Sequence, residues 1–432
     1  GDLHGSLTLA SGHTLTINNV NGLGDMTVNG DTYTTADGPE NAKLVLESGS
    51  GNFDNKLTGE LDLDITSTAS GMNWSGSNSY TGSTTISGAG VNLLNDGVLG
   101  TADSHTSVLD IVDGATVNFD GTTQYAGEIN AEGNGAIAGA GTITLDRGGL
   151  IGGANAGFSG TVLVLGETLT INDAESLGLG RANVSGDSVL SIEGVSGTDG
   201  GYAVIDNAIT GSGSVSVASG SVVELTGTNN FTGGLNIAGD LLAAGDVSAH
   251  IGSGAVKIET DGKAVFAGSS GWTLTNELTG TGELEVSAGG DEFAFGFNDT
   301  DAGDFTGSIK LSQGSFTLND NASVNAKTVA NADLTLGDNS ILNVTTGYTG
   351  QNNHVGVLSA GASSQIVFKG LNPWDSNYGG MTVGHLNVTA GSTIVIDSLK
   401  MSSGGSITSD QKIIVVGDED RKSTRLNSSH SI

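Results

Sequence analysis

Residues Ile209 to Gly234 read ITGSGSVSVASGSVVELTGTNNFTGG. A Gly-Ser-Gly turn leads into a strand alternating Ser with Val, a second turn and strand follow, and the stretch closes on the corner Phe231-Thr232-Gly233. The stretch recurs. Its opening turn and strand return as LTGELDLDI at Leu57 to Ile65, IAGAGTITL at Ile137 to Leu145 and LTGTGELEV at Leu278 to Val286. The corner follows each of them, as Tyr80-Thr81-Gly82, Phe158-Ser159-Gly160 and Phe305-Thr306-Gly307. Starts lie 80, 72 and 69 residues apart and corners 78, 73 and 74, so two independent markers keep nearly one period.

Alignment of the copies gives each side chain a direction. Leu61 and Leu63, Ile143 and Leu145, Val215 and Val217, and Leu284 and Val286 fill alternate positions. Between them stand Glu60 and Asp62, Thr142 and Thr144, Ser214 and Ser216, and Glu283 and Glu285. Side chains alternate faces along a strand, so the first set is expected inside and the second, indifferent to charge or hydroxyl, in water. A half-buried strand of this kind needs neighbours on which to stack, which is the logic of a solenoid.

Composition narrows the class. Glycine contributes 72 of 432 residues, but without a triplet period and with only 2 prolines, Pro39 and Pro373, the chain is not collagen-like. A formal charge of −33 repels phosphate backbones and anionic headgroups, which argues against nucleic-acid and membrane-surface binding. Charged residues make up only 14% and the apolar ones follow period two, so the chain is expected to fold. Cysteine is absent, leaving stacking to supply stability. The opening GDLHG has neither a basic nor an apolar leader region, so any export signal is expected to precede Gly1 or lie outside this stretch.

Taken in order, residues 1–50 read as short alternating strands between Asn, Gly and Asp turns. Four repeats of roughly 75 residues occupy about 57–320, with insertions such as Ala102 to His105 and Gly194 to Gly201 expected as loops on a face. Non-repeat coils continue over 330–416, and the irregular stretch Gly370 to Gly384 gathers Asn372, Trp374, Asp375 and Tyr378. Residues 421–432 change composition abruptly, with Arg421, Lys422 and Arg425 close together, and read as a disordered or non-native tail. The expectation for 1–420 is a single all-β body, a right-handed parallel β-helix with coils of about 18 to 25 residues. Asn78, Asn229 and Asn230 are expected to form ladders at its turns. The alternative, a β-propeller, would need blades of about 75 residues, long for that fold.

The string GSGSVSVASGSVVELTGTNNFTGG, together with NSYTGSTTISGAGVNLLNDGVLG at Asn78 to Gly100, resembles the passenger-associated transport repeat of Gram-negative autotransporters. At Phe158 and Phe305 the match is partial, because Ala156 and Gly303 stand where the family's pattern has Asn. The resemblance covers roughly half the chain. It implies an exported β-helical passenger of the adhesin or self-associating type, exposed at the bacterial surface or secreted, and tethered in the full-length protein by a C-terminal β-barrel that this sequence lacks.

Candidate chemistry is sparse. The pairs Asp62 and Asp64, or Glu283 and Glu285, have the same-face spacing of about 7 Å that a hydrolase acid and base use, but other copies put Ser or Thr there. Gly186-Asp187-Ser188 resembles the nucleophile turn of chymotrypsin-like proteases, yet Val189 stands where the oxyanion donor needs Gly, and His105 and Asp110 sit between repeat strands. No two of the seven histidines are spaced as metal ligands, no calcium loop occurs, and no Gly-rich turn leads into a phosphate-binding helix. The expectation is no catalytic residue, no metal and no cofactor.

Asn372, Trp374, Asp375 and Tyr378 are the best recognition candidates, since aromatics with Asp and Asn in an irregular loop stack on sugars or anchor proteins. The expected function is adhesion to a host matrix protein or glycan, or self-association between cells. The rival class is a polysaccharide lyase or glycoside hydrolase, a reading weakened because Arg147 and Arg181 are the only arginines before the tail.

Overall fold

A computed structural model describes residues 4–19, 23–31, 40–47, 51–66, 71–88, 90–269, 271–289, 292–295, 305–319, 331–345, 353–369, 381–389 and 391–396. Two compact units are present: one runs to Gly239 and includes Ala249–Ser253, the other comprises Asp240–Ser248 and the residues from Gly254 onward. Each is a right-handed parallel β-solenoid, in which a strand pairs in parallel with its counterpart one coil on. A propeller blade would need antiparallel neighbours, so the propeller alternative falls.

Alternation decides what each strand buries. In the first unit one column runs Leu46, Ile65, Ile86, Ile111, Ala131, Ile151, Ile171, Ile192, Val217, Ile237, each in register with the next. Every member is buried. Full burial of such a side chain stabilises by roughly 1.5–3 kcal/mol, and the β-branched majority suits a pleated surface. The second unit repeats the device with Leu241, Ala264, Leu284, Ile309, Leu334 and Leu358. It adds an aromatic stack, with Trp272 and Phe293 at 4.6 Å and Phe293 and Phe316 at 6.0 Å between ring centroids. The expected inward set, Leu61 to Val286, is fully buried throughout. The expected outward set is half-buried rather than immersed in water, and Thr144 is buried. Coils only about 4.8 Å away on either side cover the stems of outward side chains.

The two sequence markers prove to be halves of one contact. Backbone N–H groups of Thr81, Ser159, Thr232 and Thr306 donate to the carbonyls of Gly59, Gly139, Gly211 and Gly280 at 2.9–3.0 Å. A turn of one coil is thus bonded to the corner of the next, with Tyr80, Phe158, Phe231 and Phe305 buried beneath. Gly211 lies at φ +105°, a region that favours glycine, while a Cβ on the corner residue Gly160 would sit 2.0 Å from the Gly141 carbonyl. Successive registers from Ile65 to Ile151 give four coils between the first and second copies. Those from Ile151 to Val217 give three between the second and third. Coil length varies more than expected, from the offset of 19 between Ile143 and Val162 to 29 between Leu15 and Leu44.

Asparagine serves in two ways. Asn78 accepts from Leu57 N–H at 2.7 Å and donates to Val98 O at 2.6 Å, bridging the coils on both sides. Asn229 does the same with Ile209 N–H and the His250 carbonyl, at 2.9 and 2.7 Å. In the copy where Ala156 breaks the family pattern, Asn155 takes over, one place earlier, bonding Ile137 N–H and Ser176 O at 2.8 Å each. A continuous amide ladder does form, but on a strand face: Asn52, Asn73, Asn92 and Asn118 are linked at 3.2, 3.0 and 3.2 Å. Buried turn amides spend their capacity on orphaned backbone groups, so only outward strand amides are left to bond one another.

Candidate functional site

Asn372, Trp374, Asp375 and Tyr378 lie outside the described residues. The paired carboxylates are visible, and each is engaged by a neighbouring coil. Asp62 accepts from Asn41, from Ser83 N–H and from the Ser83 hydroxyl at 2.8–3.1 Å, and Asp64 meets Lys43 at 2.6 Å. Lys263 reaches Glu283 at 2.9 Å and Glu285 at 3.5 Å, and Lys310 reaches Glu285 at 3.1 Å. Burial pushes the Glu285 carboxyl up, but hydrogen bonds from Lys310 and Ser312 and the two lysine charges outweigh it and hold the group below its ordinary value. The Glu283 hydrogen bond in turn raises the Lys263 ammonium. A general acid needs the opposite shift, so this ladder is suited to bracing coils.

The protease-like residues are dispersed. Ser188 is buried at 1% exposure with its hydroxyl unpartnered among the described residues, and Asp110 accepts from Asn130 at 3.1 Å. His105 meets a different acid. The insertion at Ala102 to His105 folds back as a tight antiparallel pair, Gly100 opposite His105 and Thr101 opposite Ser104. There His105 Nδ1 lies 2.9 Å from the Thr101 carbonyl and Nε2 lies 3.1 Å from Asp146. Both ring nitrogens therefore face oxygen atoms, one on the hairpin itself and one two coils on. Tyr125 flanks the ring at 6.5 Å, and Arg147 crosses two coils to the Ser107 carbonyl at 2.7 Å. Gly127 leaves room for it, since a Cβ there would sit 3.1 Å from the guanidinium.

This grouping of His105, Tyr125, Asp146 and Arg147 brings a cation, an aromatic and an acid to one outward face of the first unit. Neither motif nor local spacing reveals it, because His105 and Asp146 meet only after two coils are wound. The available signal was the coil length of about 20 residues, doubled. In the second unit a groove of about 900 Å³ runs beside Lys310, Gln313, Asp338 and Asn339. Its walls are coil turns tied to the next coil, through Gln313 N–H to Ser340 Oγ at 3.2 Å and Ala362 N–H to Asp338 at 2.7 Å.

Fold and surface together define a parallel β-solenoid, a scaffold of the kind that autotransporter passengers use. Among known proteins, the chain is similar to an uncharacterized lipoprotein, YdeK, of Escherichia coli K12, at 28% identity over 249 residues, 53% of this chain and 18% of that protein. It is also similar to the uncharacterized protein YuaQ of the same strain, at 34% identity over 139 residues, 32% of this chain and 10% of that protein. The chain thus spans less than a fifth of the length of either relative. No family model and no solved structure matches it.

Proposed function

We propose that this chain is part of the exported β-helical passenger of a bacterial autotransporter and acts as a cell-surface adhesin, attaching to host matrix proteins or glycans or joining cell to cell. The observation that carries the reading is where the repeat markers fall. In all four copies the glycine carbonyl of the opening turn accepts from the aromatic-Thr/Ser-Gly corner of the next coil, so the repeat markers build a scaffold and leave the alternate, half-buried strand positions free to vary. Affinity on such a scaffold comes from many weak contacts multiplied by many copies. A relative described as a lipoprotein accords with a place in the cell envelope. The test is attachment of beads coated with the chain to immobilised matrix proteins, glycans and one another. Uncoated-level attachment on every surface rejects the reading.

A polysaccharide lyase or glycoside hydrolase is the second reading, and the outward grouping of His105, Tyr125, Asp146 and Arg147 favours it, since lyases use a cation beside a proton-transferring side chain. Turnover of an acidic or neutral polysaccharide, abolished by D146N, would establish it in place of adhesion.

A further inference from the structure

A notch in the first unit departs from its own repeat. Leu179 N–H donates to Phe158 O at 2.8 Å as Ser253 N–H donates to Phe231 O at 3.0 Å, so the two residues hold the same place in successive repeats. Ser253 is an ordinary polar choice there, but Leu179 is 79% exposed, the most exposed large hydrophobic residue described. Two places on, where the later repeat has Ala255, stands Arg181. Both departures line one cavity of about 340 Å³ together with Ser159, Asp206 and Asn207.

Gly160 and Gly180 line the cavity as bare backbone, and both are held to glycine because a Cβ would press into the protein beneath, 2.0 Å from the Gly141 carbonyl or 2.7 Å from the buried Phe158 ring. Asn207 fixes the far wall by donating to the Gly178 and Gly180 carbonyls at 2.9 Å each, which leaves its Oδ1 buried and unpartnered among the described residues. The coil that supplies the wall is long, Ala182 lying opposite Ile209. Arg181 uses Nε on the Thr161 hydroxyl at 2.9 Å, and neither it nor Asp206 forms an ion pair among the described residues. An apolar side chain, a cation, an anion and a hydroxyl therefore line one small concavity without neutralising one another.

We propose that this notch binds one neutral pyranose residue of a glycan, a ligand assignment that rests on the adhesin reading. A sugar ring offers a C–H face to Leu179, hydroxyl donors to Asp206 and hydroxyl acceptors to Arg181 and Ser159. Phosphorylated or sulfated ligands are disfavoured by Asp206 and by the net charge of −33. Purely apolar ligands would strand Arg181 and Asp206 without partners.

The experiment is an array carrying neutral and acidic mammalian glycans in one arm and bacterial surface polysaccharides in the other, probed with the chain and with L179S and D206A. L179S installs the residue the repeat itself uses and is expected to keep the wild-type melting temperature. The expected result is binding to neutral sugars in one arm, which names the source, weakened about tenfold or more by L179S, the scale of losing one well-packed apolar contact. Absence of neutral-glycan binding, or binding unchanged in both variants, overturns the notch. If beads coated with the chain still attach to matrix proteins in that case, adhesion stands without it; if they attach to nothing, adhesion falls as well.

Discussion

At the scale of single residues, buried amides hold coils to one another. Asn155 is buried and bonded to backbone groups of the coils before and after it, so N155A leaves a donor and an acceptor orphaned. A loss of about 1–3 kcal/mol is expected, read as a lower urea midpoint, whereas N230A at an exposed position should stay within about 0.5 kcal/mol. The pattern Asn-x-aromatic singled out Asn78 and Asn229, but it hid Asn155, because a one-residue slip before Phe158 changes the spacing without changing the bond. Glu285 gives a pH-dependent case. Its folded pKa lies below the ordinary 4.5, so its stabilising pairing is complete above that pH and is lost as pH falls through the lowered value. Wild type should therefore exceed E285Q in stability by an amount constant near neutrality and vanishing in acid, and below about 1 kcal/mol because both lysines are partly exposed. A difference that grows on acidification would reverse the assigned sign.

At the scale of elements, the hairpin at Gly100 to His105 hangs on His105 meeting Asp146. Replacing either partner, as in H105A or D146N, should speed amide hydrogen exchange at Thr101 to Ser104 several-fold while leaving the buried strand Leu109 to Ile111 unchanged, since exposed segments open locally. Equal acceleration in both places would mean that the pair supports the whole coil. Strand identity and facing were legible in the sequence because alternation is a local property: Leu284 inside and Glu285 outside follow from two neighbouring residues. Partnership between strands was not. Offsets between paired strands range from 19 to 29, so no fixed spacing forecasts that Lys263 and Lys310 bracket Glu285 or that Arg147 reaches Ser107. Asn ladders were expected at the turns, from Asn78, Asn229 and Asn230, yet the ladder runs along a strand face, because the buried turn amides Asn78 and Asn229 were already occupied by backbone groups.

At the scale of the molecule, a charge of −33 sets the response to salt. Attachment to a basic matrix protein should weaken between low and physiological ionic strength, whereas clumping of coated beads should strengthen, because screening removes repulsion between like surfaces. Both weakening together would point to a shared, charge-driven contact instead. The columns of in-register residues carry a further consequence. Leu46 to Ile237 forms its backbone pairings only between adjacent coils, so no strand in that column waits for a partner from the far end of the unit. Growth can then advance like a zip from whichever coil forms first, each finished coil templating the next. A single misfit such as I151D should arrest that advance, and limited proteolysis during refolding would leave a resistant fragment whose boundary marks the stalled coil.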